Sequence, residues 1–210
     1  MARVDRRPRQ RLGAEQRRAT ILEAAREAFS RAPYDAVSMA VIAEAAGASE
    51  ALVHRYYSTK SRLHEEVVRT AVEALLRRQA EADDALGPGA TPRARVSSSI
   101  EVYLDFIADA GEGWAAPLRD PHDGSAEAAR LRARTREHYV ELLRAVLGLS
   151  AGEPTDHALR GYLGFLDAAC LSWFGAGCPQ RQRSTVVEAA LGALDGALRA
   201  SGHAVVAAQV

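Results

Sequence analysis

Apolar side chains recur along this chain at the spacing of amphipathic helices. Between Arg17 and Arg31, the residues Ile21, Leu22, Ala25, Ala28 and Phe29 fall at i, i+1, i+4, i+7 and i+8 and make one stripe. Pro33, Tyr34 and Asp35 interrupt it. Ser38 is suited to cap a second helix, whose Ile42, Ala45 and Ala46 are expected to turn inward. Gly47 supplies a flexible turn. Ser49 then caps a third helix, with Val53 and Tyr57, four apart, as its inward anchors. Ser58, Thr59 and Lys60 break the pattern before a long fourth helix over about 61–85.

Beyond the breaker at Gly87–Pro92, helical patterns cover Arg93–Ala110, Ser125–Leu149, Thr155–Gly175 and Ser184–Ser201, and a short helix around Trp114–Arg119 fits the spacing. Pro121–Gly124, Gly148–Pro154 and Gly175–Pro179 separate the later helices. No alternating β-type run and no internal repeat stands out. The fold class is all-α: an N-terminal three-helix unit containing a helix-turn-helix at about 38–57, followed by a larger helical unit.

Composition changes this picture little. The 210 residues are 48% hydrophobic and 26% charged, as in a globular protein able to bury a sizeable core. No apolar run is long enough to span a membrane. Two cysteines, Cys170 and Cys178, are too few for a disulfide scaffold, so a reducing cytoplasm is expected, and they read as packed or bystander thiols. Charge matters more. The formal net charge is zero, yet residues 1–70 hold 13 Lys/Arg against 9 Asp/Glu. The excess is densest at Arg3, Arg6, Arg7, Arg9 and Arg11, within a basic, flexible arm expected over 1–14 that suits contact with phosphates or simply solubilises the chain. Lys60 is the only lysine.

A helix-turn-helix presents one exposed helix to a DNA groove, reading base edges from its N-terminal residues while flanking groups hold phosphates. With Val53 and Tyr57 pointing inward, Glu50, Ala51, Leu52, Arg55 and His54 are left near the groove. Arg55 is suited to donate to guanine O6 and N7, Glu50 to accept from cytosine N4, and Ala51 and Leu52 to meet a thymine methyl. Ser38, Ser49, His54, Tyr56 and Lys60 are the candidates for positioning this helix on the DNA. Ser38 and Ser49 also have plain roles as helix caps, and Tyr56 has one as partial core.

The segment Leu12–Val68 resembles the TetR family of bacterial transcriptional regulators. The resemblance is carried by Ile21 to Ala25 with Phe29, Tyr34 to Ser38, Ile42-Ala43 with Ala46 to Ser49, Val53 to Tyr57, and Ser58 to Lys60 with Leu63. Departures are mild in size and shape: Pro33 for a usual glycine, Ala48 for valine, Ala51 for glycine, His54 for tyrosine and Tyr57 for phenylalanine. The remaining two-thirds matches in helical layout only. The resemblance implies a DNA-binding domain over 15–75, an effector-binding and dimerisation domain over 76–210, a double-stranded DNA operator, and a small-molecule effector seated under the long fourth helix.

Candidates for those later roles come from residue type. Tyr103, Phe106, Trp114, Tyr139, Phe165 and Cys170 are candidates to line an apolar effector cavity, with Asp105, His138 and Asp167 as further polar anchors; core filling is the competing reading. Gly161, Gly164 and Ala168 in one helix, and Ala189, Gly192 and Gly196 in another, would let helix backbones approach closely in a homodimer, or else serve packing within one subunit. No enzyme is indicated. The six histidines show no metal-ligand pairing at i, i+3 or i+4, no Gly-rich phosphate loop follows a strand, and neither a metal nor a cofactor is implied. The leading expectation is therefore a dimeric, ligand-released repressor. An architectural DNA-binding protein, docking a protein partner through its helical domain, is the alternative. A sizeable pocket favours the first; a filled core with an exposed apolar patch favours the second.

Overall fold

A computed structural model describes residues 13–120 and 124–203. The arginines of the basic arm, and His122 and Asp123, lie outside the described residues. Nine α-helices account for nearly all of the described chain: α1 (Ala14–Arg31), α2 (Met39–Ala45), α3 (Glu50–Tyr56), α4 (Lys60–Leu86), α5 (Pro92–Ala110), α6 (Glu112–Arg119), α7 (Ala126–Leu147), α8 (Glu153–Gly175) and α9 (Arg183–Ala200). Short 3-10 turns occur at Tyr34–Ala36 and Gln180–Gln182.

Local chemistry fixes most of these boundaries. Ser38, Ser49, Thr59, Thr91 and Ser125 each accept, through the side-chain oxygen, the backbone N–H three residues on. Each such cap contributes about 1 kcal/mol. α2 ends in a Schellman turn: Ala48 N–H donates to Ala43 O at 2.9 Å and Gly47 N–H to Glu44 O at 3.0 Å. Gly47 adopts φ +58° there, which a residue without a Cβ does at no steric cost.

Two hydrophobic cores result. The first gathers Ile21, Ala25 and Phe29 of α1, Met39, Ile42, Ala43 and Ala46 of the α2 region, and Val53, Tyr57, Leu63 and Val67. Ala45, expected inward, is exposed, and Ala43 takes its place. Positions 42, 43 and 46 share one face at i, i+1 and i+4. The second core joins α5, α7, α8 and α9 through Val96, Ile100, Leu104, Val140, Leu159, Leu166, Leu191 and Leu198. Helix α4 runs from the first core past the second.

A second seam between the two halves is made by α6. A Cβ at Gly111 would stand 2.6 Å from Ser30 O, and one at Gly113 would stand 2.9 Å from Phe29 O. Only glycines let the start of α6 approach the last carbonyls of α1 so closely. Those carbonyls are among the four that a helix C-terminus leaves unpaired, and the positive end of the α6 dipole faces them.

Candidate nucleic-acid interface and cavity

Helix α3 is anchored by Val53 (0% exposed) and by Tyr57 (4%), which follows its last turn. Glu50, Ala51, His54 and Arg55 are all exposed, while Leu52 and Tyr56 are half-buried. The structure thus places Glu50, Ala51 and Arg55 on one outward surface, with Leu52 at its edge. Among the described residues Arg55 makes no ion pair or side-chain hydrogen bond. Its guanidinium is available to a base edge or a phosphate. Glu50 and His54 face each other one turn apart, Oε1 to Nε2 at 3.8 Å, and His54 Nδ1 lies 3.3 Å from Ser58 O. Ser38 and Ser49 are exposed while capping, and the ring of Tyr56 packs partly on the first core. Behind α3, Arg18 donates to the Tyr57 hydroxyl at 3.3 Å and pairs with Glu66 at 3.1 Å, tying α1 to the end of α3 and to α4.

Lys60 departs from its expected place. Thr59, not a longer break, starts α4, so Lys60 is the first residue of that helix. Its Nζ donates to Tyr34 O and Val37 O, both at 3.0 Å, and sits 4.1 Å from the centroid of the Tyr34 ring. Two of three ammonium donors therefore act inside the protein, leaving one for a phosphate. The inward side chain follows from helix geometry, which tilts side chains towards the N-terminus and here over the 3-10 turn.

Under α4 lies a cavity of about 1200 Å³, walled by α4, α5, α6, α7 and α8 and reaching Phe29 and Ser30 of α1. Tyr103, Phe106, Trp114 and Tyr139 contribute to its wall, with Val67, Leu75, Ile100 and Leu166. A polar chain crosses one side. Trp114 Nε1 donates to the Tyr103 hydroxyl at 2.8 Å, Tyr103 donates to Asp167 Oδ1 at 3.1 Å, and Arg136 pairs with Asp167 Oδ2. Burial pushes the Asp167 carboxyl pKa up, against the pull of Arg136 and Tyr103. Tyr139 donates to Gln79 Oε1 at 2.6 Å.

Two cavity candidates lie elsewhere. Phe165 is 41% exposed on the outer face of α8. Cys170 is packed in the second core, where burial pushes its thiol up to about 12. Among the further polar anchors, Asp167 and His138 reach the wall, whereas Asp105 is exposed and paired with Arg183. Sequence reading passed over His64, Arg132 and Arg136. A signal existed for His64: it interrupts the apolar run Leu63, Val67, Val68, Ala71, Leu75, at a position where a polar side chain must be buried.

The outer face of α8 and α9 is built of small residues. Gly161, Gly164, Ala168, Ala189, Gly192 and Gly196 are all exposed, and a Cβ added at any of the four glycines would meet nothing within 4 Å. Packing inside one subunit does not require them to be glycine. Among the described residues no helix is long and apolar enough to cross a membrane, and no group of three His, Cys, Asp or Glu side chains is arranged to hold a metal.

An exposed helix-turn-helix on a small core, joined by one long helix to a hollow helical body, defines a DNA-binding transcriptional regulator. Residues 21–67 match the profile of bacterial regulatory proteins of the tetR family. The chain is 32% identical over 149 residues to the HTH-type transcriptional regulator BetI of Rhizobium meliloti, covering 69% of this chain and 70% of that protein. It is 31% identical over 104 residues to the HTH-type transcriptional activator FasR of Mycolicibacterium smegmatis; that match takes in 50% of this chain and 46% of the relative. A crystal structure of a tetR-family transcriptional regulator from Streptomyces coelicolor superposes with a TM-score of 0.77 at 25% identity, over 91% of this chain and 84% of that one. The chain belongs to the TetR family of bacterial transcriptional regulators, which are DNA-binding proteins and not enzymes.

Proposed function

We propose that the protein is a cytoplasmic, dimeric repressor that binds a palindromic operator and is released when a small molecule enters the cavity under α4. The observation that carries this reading is the cavity itself: about 1200 Å³ of mostly apolar space beside the helix that begins at the DNA-binding core. That volume exceeds the ordinary range for drug-sized ligands. A filled core, as the architectural alternative requires, is not what surrounds α4.

In this reading Arg55 and Glu50 read base edges and Ala51 and Leu52 offer apolar surface. Ser38, Ser49, His54 and Tyr56 meet the backbone, with the remaining donor of Lys60 beside them. The small-residue face of α8 and α9 supports a homodimer, because two such faces can pack with their backbones close. The reach of one recognition helix calls for two half-sites one helical turn or a multiple apart. An apolar or aromatic effector releases DNA only if it binds the non-DNA state more tightly.

Selection of bound DNA from a random pool, followed by a ligand screen on the enriched operator, tests the proposal. Enrichment of a palindrome and its release by an apolar ligand are expected. Failure to enrich any palindromic sequence overturns it.

A further inference from the structure

Gln79 of α4 lines the cavity and holds two other helices of its wall. Its Nε2 donates to Ser99 O at 3.1 Å and to Ser99 Oγ at 2.8 Å, both on α5. Its Oε1 accepts from the Tyr139 hydroxyl of α7 at 2.6 Å. Ser99 and Tyr139 line the same cavity.

One atom fixes the sense of these bonds. Ser99 O is a carbonyl and only accepts, so the amide turns its NH2 towards α5 and its oxygen towards Tyr139. Tyr139 therefore gives its only proton to Gln79, while its own oxygen keeps a lone pair. Ser99 Oγ takes an amide N–H and keeps its proton. Among the described residues neither that lone pair nor that proton has a partner. One acceptor and one donor thus flank a single amide, and one inserted hydroxyl satisfies both. A carboxylate there could only accept, and an ammonium could only donate.

The rest of the wall gives a charged ligand no counterpart. Its carboxylates are each paired with a guanidinium: Asp83 with Arg95, Asp109 with Arg78, and Asp167 with Arg136. Arg26 is held by Glu23, His138 stands beside Glu141, and Arg132 is engaged as well. Burial pushes the Tyr103 and Tyr139 phenols and the Asp167 carboxyl up, and the His64 imidazole down to about 4. Each of these shifts favours the uncharged form of its group. An ion entering this space gives up its water and meets no unanswered opposite charge among the described residues.

Resting on the reading of the cavity as the effector site, we propose that the effector is an uncharged lipophilic alcohol. Its hydroxyl donates to the Tyr139 oxygen and accepts from Ser99 Oγ, and its apolar body lies along Val67, Leu75, Ile100 and Phe106. Because Gln79 bridges both partners from α4, the hydroxyl engages the helix that begins at the DNA-binding core.

Titration calorimetry of the full chain with decan-1-ol, methyl decyl ether, decanoate and decylamine at neutral pH tests this. The four share one apolar body and differ at the head. Decan-1-ol is expected to bind on the order of tenfold more tightly than each of the others, as one hydrogen bond allows. Tyr139→Phe removes the acceptor and should bring alcohol and ether to equal affinity. Ser99→Ala removes the donor and should weaken alcohol and ether alike while sparing the amine. A merely structural role for either residue would move all four ligands together. Either ion binding as tightly as the alcohol, no binding of the alcohol, or an alcohol preference that survives Tyr139→Phe overturns the proposal. Saturation by the alcohol with these signatures, but with the operator still bound, leaves the subsite standing and sinks effector release. Operator release by decanoate or decylamine as readily as by decan-1-ol does the reverse.

Discussion

Lys60 Nζ sits 4.1 Å from the centroid of the Tyr34 ring and 3.0 Å from the Tyr34 carbonyl oxygen, so the first residue of α4 clamps the turn through which the chain enters the helix-turn-helix. The second bond, to Val37 O, lies just before the Ser38 cap of α2. Lys60 thereby ties the start of α4 to the segment that leads into α2.

Lys60→Met should therefore do two things at once. Losing two part-buried, charge-assisted hydrogen bonds and a cation–π contact should lower stability by about 2 kcal/mol. DNA binding should weaken alike for all sequences, because no base contact is removed. Urea unfolding and gel-shift titrations on operator and scrambled duplexes measure both. Unchanged unfolding would mean that the clamp is not formed in solution.

Arg55→Ala should behave in the opposite manner. An exposed side chain without a partner among the described residues contributes little to stability. Its loss should relax preference at one operator position by roughly 1–3 kcal/mol. Equal losses on cognate and scrambled DNA would assign Arg55 to the backbone instead.

Gly192→Arg tests the face of α8 and α9. Within one subunit the new side chain has open space, and replacing a helical glycine adds up to about 1 kcal/mol of helix propensity. Across a close-packed dimer seam it cannot fit. Light scattering should report a folded monomer with undiminished helicity, and operator affinity should fall steeply. A variant that remains dimeric would place the interface elsewhere.

His64 gives a pH dependence with a definite sign. Folded, the ring stays neutral down to about pH 4; in the unfolded chain it takes up a proton near its ordinary value of 6.5. Between those limits the unfolded state binds more protons, so stability is complete above the upper limit and declines as pH falls towards the lower one. The full loss is about 3 kcal/mol. Carboxylates also titrate in the lower part of that range, so the informative quantity is the difference between wild type and His64→Phe. Identical pH slopes for the two would show that the folded ring accepts its proton freely.

Local order was largely legible in the sequence. Caps at Ser38 and Ser49 and the turn at Gly47 act within four residues of themselves, and the structure has them where the pattern puts them. The destination of a side chain is a different matter. Phe165 and Phe106 are equally apolar, yet one faces outward from α8 and the other the cavity. Periodicity marks the apolar face of a helix without saying whether core, cavity or open surface lies opposite. The inward bonds of Lys60 are illegible for a related reason: its acceptors, Tyr34 O and Val37 O, are backbone atoms more than twenty residues away, and no residue type announces them.

The glycines that let α6 touch the end of α1 bear on how interchangeable the two halves of this protein are. The helix-turn-helix unit is not a reading head that can be unscrewed and fitted to another helical body. Its α1 ends in carbonyls shaped to Gly111 and Gly113, and a recipient with any larger residue at those positions would hold the transplanted head off its seat. Chimaeras cut within α4 must carry the start of α6 along with α1, or the two halves will fold without communicating.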